Sequence, residues 1–440
     1  WRPGDRSRRD DDRYLLLEAL LSAREQLYVS WVGRSVRDGS ERAPSVLVGQ
    51  LRDHLAAGWR LEGGGELLAA LTTEHPLQPF SNRYFSGQGE AQLFTYAHEW
   101  REVHDGVLPA EAGAALPPMA PQAPLALRAL GDFLAQPVDA FFRQRLKIVL
   151  RGDDAASLDA EAFAFDGLEA WQLQAALTGP LRPWAEAHAA LPADAFQQAL
   201  HEPWQQAVQQ LAREGRLPLR AFAQCAVDEV RAKVWRALAH DARIAAAWPQ
   251  ALAQPVEFDW QDTASGLQLQ DWIAGLRRNA GGTLARWVAV DGALHSGGSK
   301  RWSALLRVWV EHIALQYALG PTATLLSSES DPLQLAPLAR GEAAGHLATL
   351  AAHWAQGMRR PLPIASKTAL RWLETRDLAK ARACYEGSHQ RDGELQRSAA
   401  LMRVYPQFDA WWGPDSEALA ETLYAPLMAA LQPLQGEEGA

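Results

Sequence analysis

From Asp12 onward apolar residues recur at helical spacing, at Leu16, Ala19, Leu20, Ala23 and Leu27, which predicts an amphipathic helix near the start of the chain. The β-forming run Leu27-Tyr28-Val29-Ser30-Trp31-Val32-Gly33 then predicts a short strand. Ser45 offers a hydroxyl suited to opening a helix, and a second helix is expected over residues 46–55. Helix, strand, loop and helix in this order suit the edge of an α/β domain. The chain breaks into a loop around residues 75–81. Residues 107–124 hold five prolines and predict a connecting segment, assigned to 106–121. Beyond it, helices are expected over 125–134 and 138–150, with Pro137 in the helix-starting position, and over most of 155–245. The pattern changes to a period of two near 256–272 and again over 284–290, predicting strands. Helix returns over 299–319 and dominates from about Gly341, until the polar residues 435–440, which should fray. The whole is a mixed α/β pattern with high helix content and no internal repeat.

Composition narrows the class. A chain of 440 residues holds two or three domains, and 48% hydrophobic with 22% charged residues is ordinary for a soluble globular protein. No apolar run reaches the ~18 residues of a membrane-spanning helix. The opening Trp1-Arg2-Pro3-Gly4 has no initiator Met and no signal-peptide pattern, so it reads as a cut into a longer chain. Two cysteines, Cys225 and Cys384, cannot build a disulfide framework, and they point to the cytoplasm. The net charge of −9 does not suggest a protein coated all over with nucleic acid, though it leaves room for a local basic patch. Of the 43 basic residues five are Lys and therefore 38 are Arg, a bias that a GC-rich genome would produce. The 18 Trp are assigned to the core by default.

Every motif that would do phosphate chemistry is broken. Residues 11–29 resemble the last ATPase motif of superfamily 1 helicases, in which a helix ends in Thr-Arg-Ala and a strand follows. That arginine stabilises transition-state charge at the γ-phosphate. Here the triplet is Leu21-Ser22-Ala23, so Ser22 stands in the arginine's place. Arg24 lies two residues on, roughly 200° around the helix, and cannot replace it. Taken without the resemblance, the same stretch is any charged amphipathic helix before a strand. A PD-(D/E)xK nuclease needs an acid, then Asp/Glu-x-Lys on a strand, to hold Mg²⁺ and position water. The residues two before the five lysines are Arg145, Arg231, Gly298, Ala365 and Leu378, none acidic. Residues 270–274 and 286–290 are the natural strand pair for such a centre, with Asp271 or Asp291 as a remnant acid, although a surface carboxylate is the plainer reading. There is no Gly-Lys pair for a phosphate loop, and Ser366-Lys367-Thr368 suits a helix cap instead. His312 has Gln316 four residues on, not a second histidine, so zinc-protease spacing is missing. No catalytic residue, metal site or cofactor is expected.

The longer string decides the family. Residues 4–14, Gly33-Arg34-Ser35, residues 40–48, residues 75–81 with Arg83-Tyr84-Phe85, Phe141-Phe142-Arg143-Gln144-Arg145-Leu146, and Pro361-Leu362-Pro363 with Lys367-Thr368 resemble the RecC family and keep its order. That family is the gamma subunit of exodeoxyribonuclease V, a helicase–nuclease acting on broken DNA ends. The resemblance implies the end of an inactive helicase-like domain at 1–105, the linker at 106–121 and an inactive PD-(D/E)xK nuclease-like domain with helical insertions at 122–440. It implies a non-catalytic subunit in DNA repair and recombination, which holds the beta and alpha subunits and guides or splits DNA. Regulatory-sequence recognition would lie mostly upstream of Trp1. Arg6, Arg8, Arg9 and Arg34 are the first candidates for phosphate contact, against internal pairing with Asp10, Asp11 and Asp12. Arg277-Arg278 and Lys300-Arg301, beside Gly281-Gly282 and Gly297-Gly298, are the second, against simple solvation at loop tips. Two other classes remain open: an active metal-dependent nuclease with an unrecognised site, and a purely protein-binding helical module.

Overall fold

Ser7 and Ser45 each turn a side-chain oxygen onto a backbone N–H of the first helical turn, and two helices start there. The computed structural model describes residues 7–35, 39–85, 93–104, 115–119, 123–150, 165–296, 299–388 and 392–434. The chain divides into two units, residues 1–112 and 113–440. In the first, α1 spans Arg8–Ser22, α2 Val46–Gly58 and α3 Leu67–Leu71, followed by two 3₁₀ turns at Asn82–Tyr84 and His98–Val103. Helix α1 thus starts before Asp12 and stops at Ser22, short of the Ala23 and Leu27 positions. The expected strand at 27–33 does not form. A strand needs a ladder partner, and among the described residues that stretch has none; the nearest pairing is a single bridge from Arg34 to Glu41. None of α1, α2 or α3 buries a residue.

The second unit opens with α4 (Leu127–Ala135) and α5 (Pro137–Ala140), where Pro137 takes the first helical position as expected. A π-helical turn, Phe141–Arg145, continues α5, and the helix ends there; Lys147 turns to φ 59°. The expectation of helix to residue 150 fails at that left-handed residue. Asp166 and Glu169 then form a reciprocal capping box that starts α6 (Gly167–Ala187). With α7 (Ala193–Arg213) and α8 (Ala221–Ala247) it forms a three-helix bundle around Leu177, Leu200, Trp204, Val234 and Leu238.

The sheet follows. Strands β1 (Gln250–Ala251), β2 (Val256–Gln261), β3 (Gln268–Ile273), β4 (Leu276–Arg278), β5 (Leu284–Ala289), β6 (His295–Ser296) and β7 (Ser299–Lys300) precede α9 (Trp302–Leu319). After α9 come β8 (Ala323–Ser327), β9 (Leu333–Leu335), α10 (Arg340–Gly357), α11 (Ser366–Thr375) and α12 (Leu378–Glu386). The last elements are α13 (Ala399–Val404), α14 (Phe408–Trp411), α15 (Pro414–Ala430) and β10 (Leu431–Pro433). Six strands form one sheet in the order β1-β4-β5-β8-β9-β10, while β2–β3 and β6–β7 are separate hairpins. Among the described strands of this sheet, only β5 and β8 pair in parallel; they are joined through α9, which makes them a β–α–β unit.

Two glycines set close approaches. At Gly131 a Cβ would sit 3.2 Å from the Arg307 Cα, so α4 and α9 touch at backbone range. At Gly275, φ is 87° and a Cβ would meet the Trp287 carbonyl oxygen at 2.8 Å, which pins the β4 entry against β5. The main core joins α4, α9, α10, α11 and α15 with the sheet, and Trp309 and Trp354 are fully inside it. A second cluster of Phe141, Phe142, Tyr385, Phe408 and Trp411 packs the π-helical turn against α12 and α14. Among the described residues no helix is long and apolar enough to cross a membrane.

Candidate functional site

Parallel strands joined by a helix leave their carboxyl ends open to ligands, so the ends of β5 and β8 are the first place to look for chemistry. Strand β5 reads Leu284-Ala285-Arg286-Trp287-Val288-Ala289, with a cation and an indole where a nuclease strand would carry acid-x-Lys. On the α9 side the half-buried Glu311 forms an ion pair with Arg286, which also donates to the Ala274 carbonyl. On the α8 side Trp287 Nε1 donates to Ser327 Oγ at 2.8 Å, and Ser327 in turn donates to Asp241. Ser327 ends β8 and pairs in register with Ala289.

Asp241 is 1% exposed, and a bare carboxylate there would be costly. It is compensated by Arg182 of α6, whose Nε lies 2.9 Å from Asp241 Oδ2. The same guanidinium reaches Asp291, just past β5, with Nη2 at 3.6 Å from Oδ1. Arg182 is thus a positive centre held between two carboxylates. The bundle adds further ties: Trp171 Nε1 donates to the Asp291 carbonyl, Gln174 donates to Glu329, and the His240 ring bonds the Ser328 carbonyl. Carboxylates at this edge are therefore turned onto protein donors supplied by α6 and the β8 end. Among the described residues, no group of three or more His, Cys, Asp or Glu is placed to hold a metal ion.

The structure separates the expected strand pair. Residues 270–273 belong to β3, whose ladder partner is β2, whereas β5 pairs with β4 and β8. Asp271 is no remnant acid of this edge: its Oδ2 accepts from Leu127 N at 3.0 Å and caps α4. Ser366 does not cap α11, since Ala365 holds the N-cap position. Glu394 does so instead, accepting from Lys367 N (3.0 Å), Thr368 N (2.8 Å) and Thr368 Oγ1 (2.8 Å). Burial pushes the Glu394 carboxyl above its ordinary range, against the pull of those donors. Arg277 is not a solvated loop tip; it is 7% exposed, ion-paired with Glu186 and 4.6 Å from the Trp287 ring centroid. Lys300 lies over Trp302, and Arg301 donates to the Ala293 carbonyl. Gly297 and Gly298 fall outside the described residues.

His312 is fully buried on α9, with Nδ1 2.8 Å from Thr324 Oγ1 and Nε2 3.1 Å from the Ala336 carbonyl. Burial holds its pKa down at about 4. It knits α9 to β8 and to the residue after β9, and has no route to solvent chemistry.

In the first unit Ser22 ends α1, exposed, with its Oγ donating to the Ala19 carbonyl at 2.9 Å. Arg8 and Arg9 lie exposed in the first turn of α1, beside Asp10 and Asp11. Arg34 is taken up by Glu74 and Glu41, and the Glu74 contact lifts the guanidinium pKa above its ordinary value. Arg6 lies outside the described residues.

The basic groups that sequence reasoning passed over sit in the second unit. Arg145 Nη2 donates to the Pro117 carbonyl at 3.0 Å, and Arg359 Nε donates to the neighbouring Leu116 carbonyl at 3.1 Å. Arg143 donates to Gln136, and Gln136 lines a cavity of about 210 Å³ shared with Arg307, Lys367 and Arg397. The only sequence signal is the Arg143-Gln144-Arg145-Leu146-Lys147 run.

Comparison with known proteins accords with this architecture. Residues 122–377 match the family model described as the RecC C-terminal domain. The RecBCD enzyme subunit RecC of Escherichia coli (strain K12) is 30% identical over 417 residues, covering 92% of this chain and 33% of that protein. The subunit of the same name from Haemophilus influenzae is 35% identical over 177 residues, covering 39% of this chain and 15% of its own length. That of Mycolicibacterium smegmatis is 28% identical over 420 residues, covering 89% and 33%. The chain spans about a third of the E. coli and M. smegmatis relatives' length. It belongs to the RecC family and corresponds to the C-terminal portion of that family's sequence.

Proposed function

We propose that this chain is part of a non-catalytic subunit of a RecBCD-type helicase–nuclease that processes DNA ends. In this reading it scaffolds the beta and alpha subunits and guides or splits the DNA, while the chemistry belongs to those partners. The observation that carries the non-catalytic part is Arg182, seated between Asp241 and Asp291 at the carboxyl ends of β5 and β8. A metal-dependent nuclease needs carboxylates free to bind a divalent cation and activate water. Here a fixed guanidinium already engages both of them, and β5 carries Arg286 in place of an acid. The match of residues 122–377 to the RecC C-terminal domain supports assigning the second unit to a degenerate nuclease-like domain. The first unit would complete a helicase-like domain whose ATPase motif is lost at Ser22.

A Mg²⁺-dependent nuclease assay on the purified chain tests this directly. No DNA cleavage above background is expected with single- or double-stranded substrates. Cleavage that disappears in Asp241→Asn or Asp291→Asn would overturn the non-catalytic reading in favour of an active nuclease.

A further inference from the structure

We propose that Arg143, Arg145, Lys147, Arg359 and Arg360 form a binding site for the backbone of an unpaired nucleic-acid strand, an assignment that rests on the DNA-handling reading above. The sequence gathers three of these cations within one short run, and the π-helical turn Phe141–Arg145 fixes where that run points. Phe141 and Phe142 are sunk in the aromatic cluster, so the rest of the turn has little freedom. Arg143, Lys147, Arg359 and Arg360 are exposed, and Arg145 is half-buried. The end of α10 brings Arg359 and Arg360 to the same place, because Arg145 and Arg359 grip two adjacent carbonyls, those of Pro117 and Leu116. The Leu116 N–H donates back to the Arg359 carbonyl at 2.8 Å, closing the clamp.

Clustering of cations without a carboxylate partner sets this place apart, since Arg213 and Arg243 also lack an ion pair among the described residues but lie on separate helices of the bundle. Among the described residues no carboxylate lies within ion-pair distance of any of the five, whereas Arg182, Arg277, Arg286, Arg307, Arg371, Arg376 and Arg382 of the same unit all have acidic partners. Five such cations together make a local positive field that no ion-paired carboxylate among the described residues offsets. Phosphates are the partner this field suits, and neutralising them releases counterions from the strand. A protein partner would need a matching cluster of carboxylates, whereas a nucleic-acid backbone presents an anion at every nucleotide. An unpaired strand fits better than a duplex: Ile148 (45% exposed) and Val149 (66%) lie beside Lys147 and offer apolar surface to base faces that a duplex keeps stacked away.

The experiment measures binding of the 440-residue chain to dye-labelled oligothymidylate by fluorescence anisotropy over a salt series. Lys147→Asn with Arg360→Gln removes two charges whose side chains hold no hydrogen bond among the described residues, and Asn tolerates the left-handed backbone at position 147. For a single strand the slope of log K against log salt should fall by about 1.4, roughly 0.7 for each phosphate that is no longer neutralised. Affinity at low salt should drop about tenfold, at unchanged melting temperature. Arg213→Gln with Arg243→Gln, the same charge change on the helical bundle, should leave the slope alone. An equal loss in both double variants, or an unchanged slope in the first, overturns the site while leaving DNA handling intact. Displacement of the oligonucleotide by polyglutamate at matched charge would overturn it in favour of an acidic protein partner. Failure of the parent chain to bind any oligonucleotide would overturn both the site and the DNA-handling reading.

Discussion

Helices α1, α2 and α3 of residues 1–112 bury none of their residues, whereas α9 alone buries eleven. Both regions carry apolar side chains at helical spacing. In the first unit Tyr14, Leu15, Leu17, Leu21, Val46 and Trp59 stay exposed, while in the second α9 is wrapped by α4, α10 and hairpin β2–β3. Periodicity names the face that would be buried, but it does not supply the surface that buries it. That surface must come from elements far along the chain, and the described residues of 1–112 do not contain enough of them to build a core. Stability therefore has to be argued for each unit separately.

The largest test of this contrast is to separate the units. Residues 113–440 should retain a single sharp thermal transition with near-ultraviolet dichroism, and residues 1–112 should show neither; a cooperative melt of the shorter piece would break the comparison. Next come matched substitutions read by urea denaturation of the whole chain. Leu306→Ala, at a fully buried position of α9, should cost about 3–5 kcal/mol, while Leu17→Ala, half exposed on α1, should stay within about 0.5 kcal/mol. Near-equal effects would show that α1 is packed after all. The third is a pH effect confined to the second unit. His312 titrates at about 4 in the folded chain, below the ordinary 6.5, so the unfolded state takes up a proton first as pH falls. Its contribution is complete above pH 6.5 and is lost between 6.5 and 4, by roughly 3 kcal/mol in total. A His312→Gln variant should lack that part of the pH dependence; parallel curves for parent and variant would show that the imidazole is not held neutral.

Much of the second unit could be read from residue order, for identifiable reasons. Hairpin β2–β3 alternates between inside and outside, so Val256, Phe258 and Trp260 announced a strand. Helices α6, α7 and α8 fall within the stretch 155–245 expected to be mostly helix, because its Ala- and Leu-rich residues keep a helical period. Strand β8 was missed because four of its five residues are buried, leaving a short apolar run with no alternation to mark it in an Ala- and Leu-rich chain. Strand β9 is three residues long, too short to show a period. The family was legible from ordered motifs. Arg182 was not, because it lies 59 positions from Asp241 and meets it only when α6 packs against α8, and it reaches Asp291 only where the bundle meets the end of β5. The Arg145 and Arg359 clamp likewise depends on two main-chain carbonyls, and main-chain acceptors have no signature in side-chain sequence.

Arg182 has one last consequence, for mass action. An ion recruited from solution occupies its site only as far as its concentration and affinity allow, and a chelator can strip it away. A guanidinium carried on the polypeptide has no such equilibrium: it is delivered once, by folding, at a fixed stoichiometry of one. The carboxyl ends of β5 and β8 should therefore hold together equally well in magnesium-rich and magnesium-starved conditions.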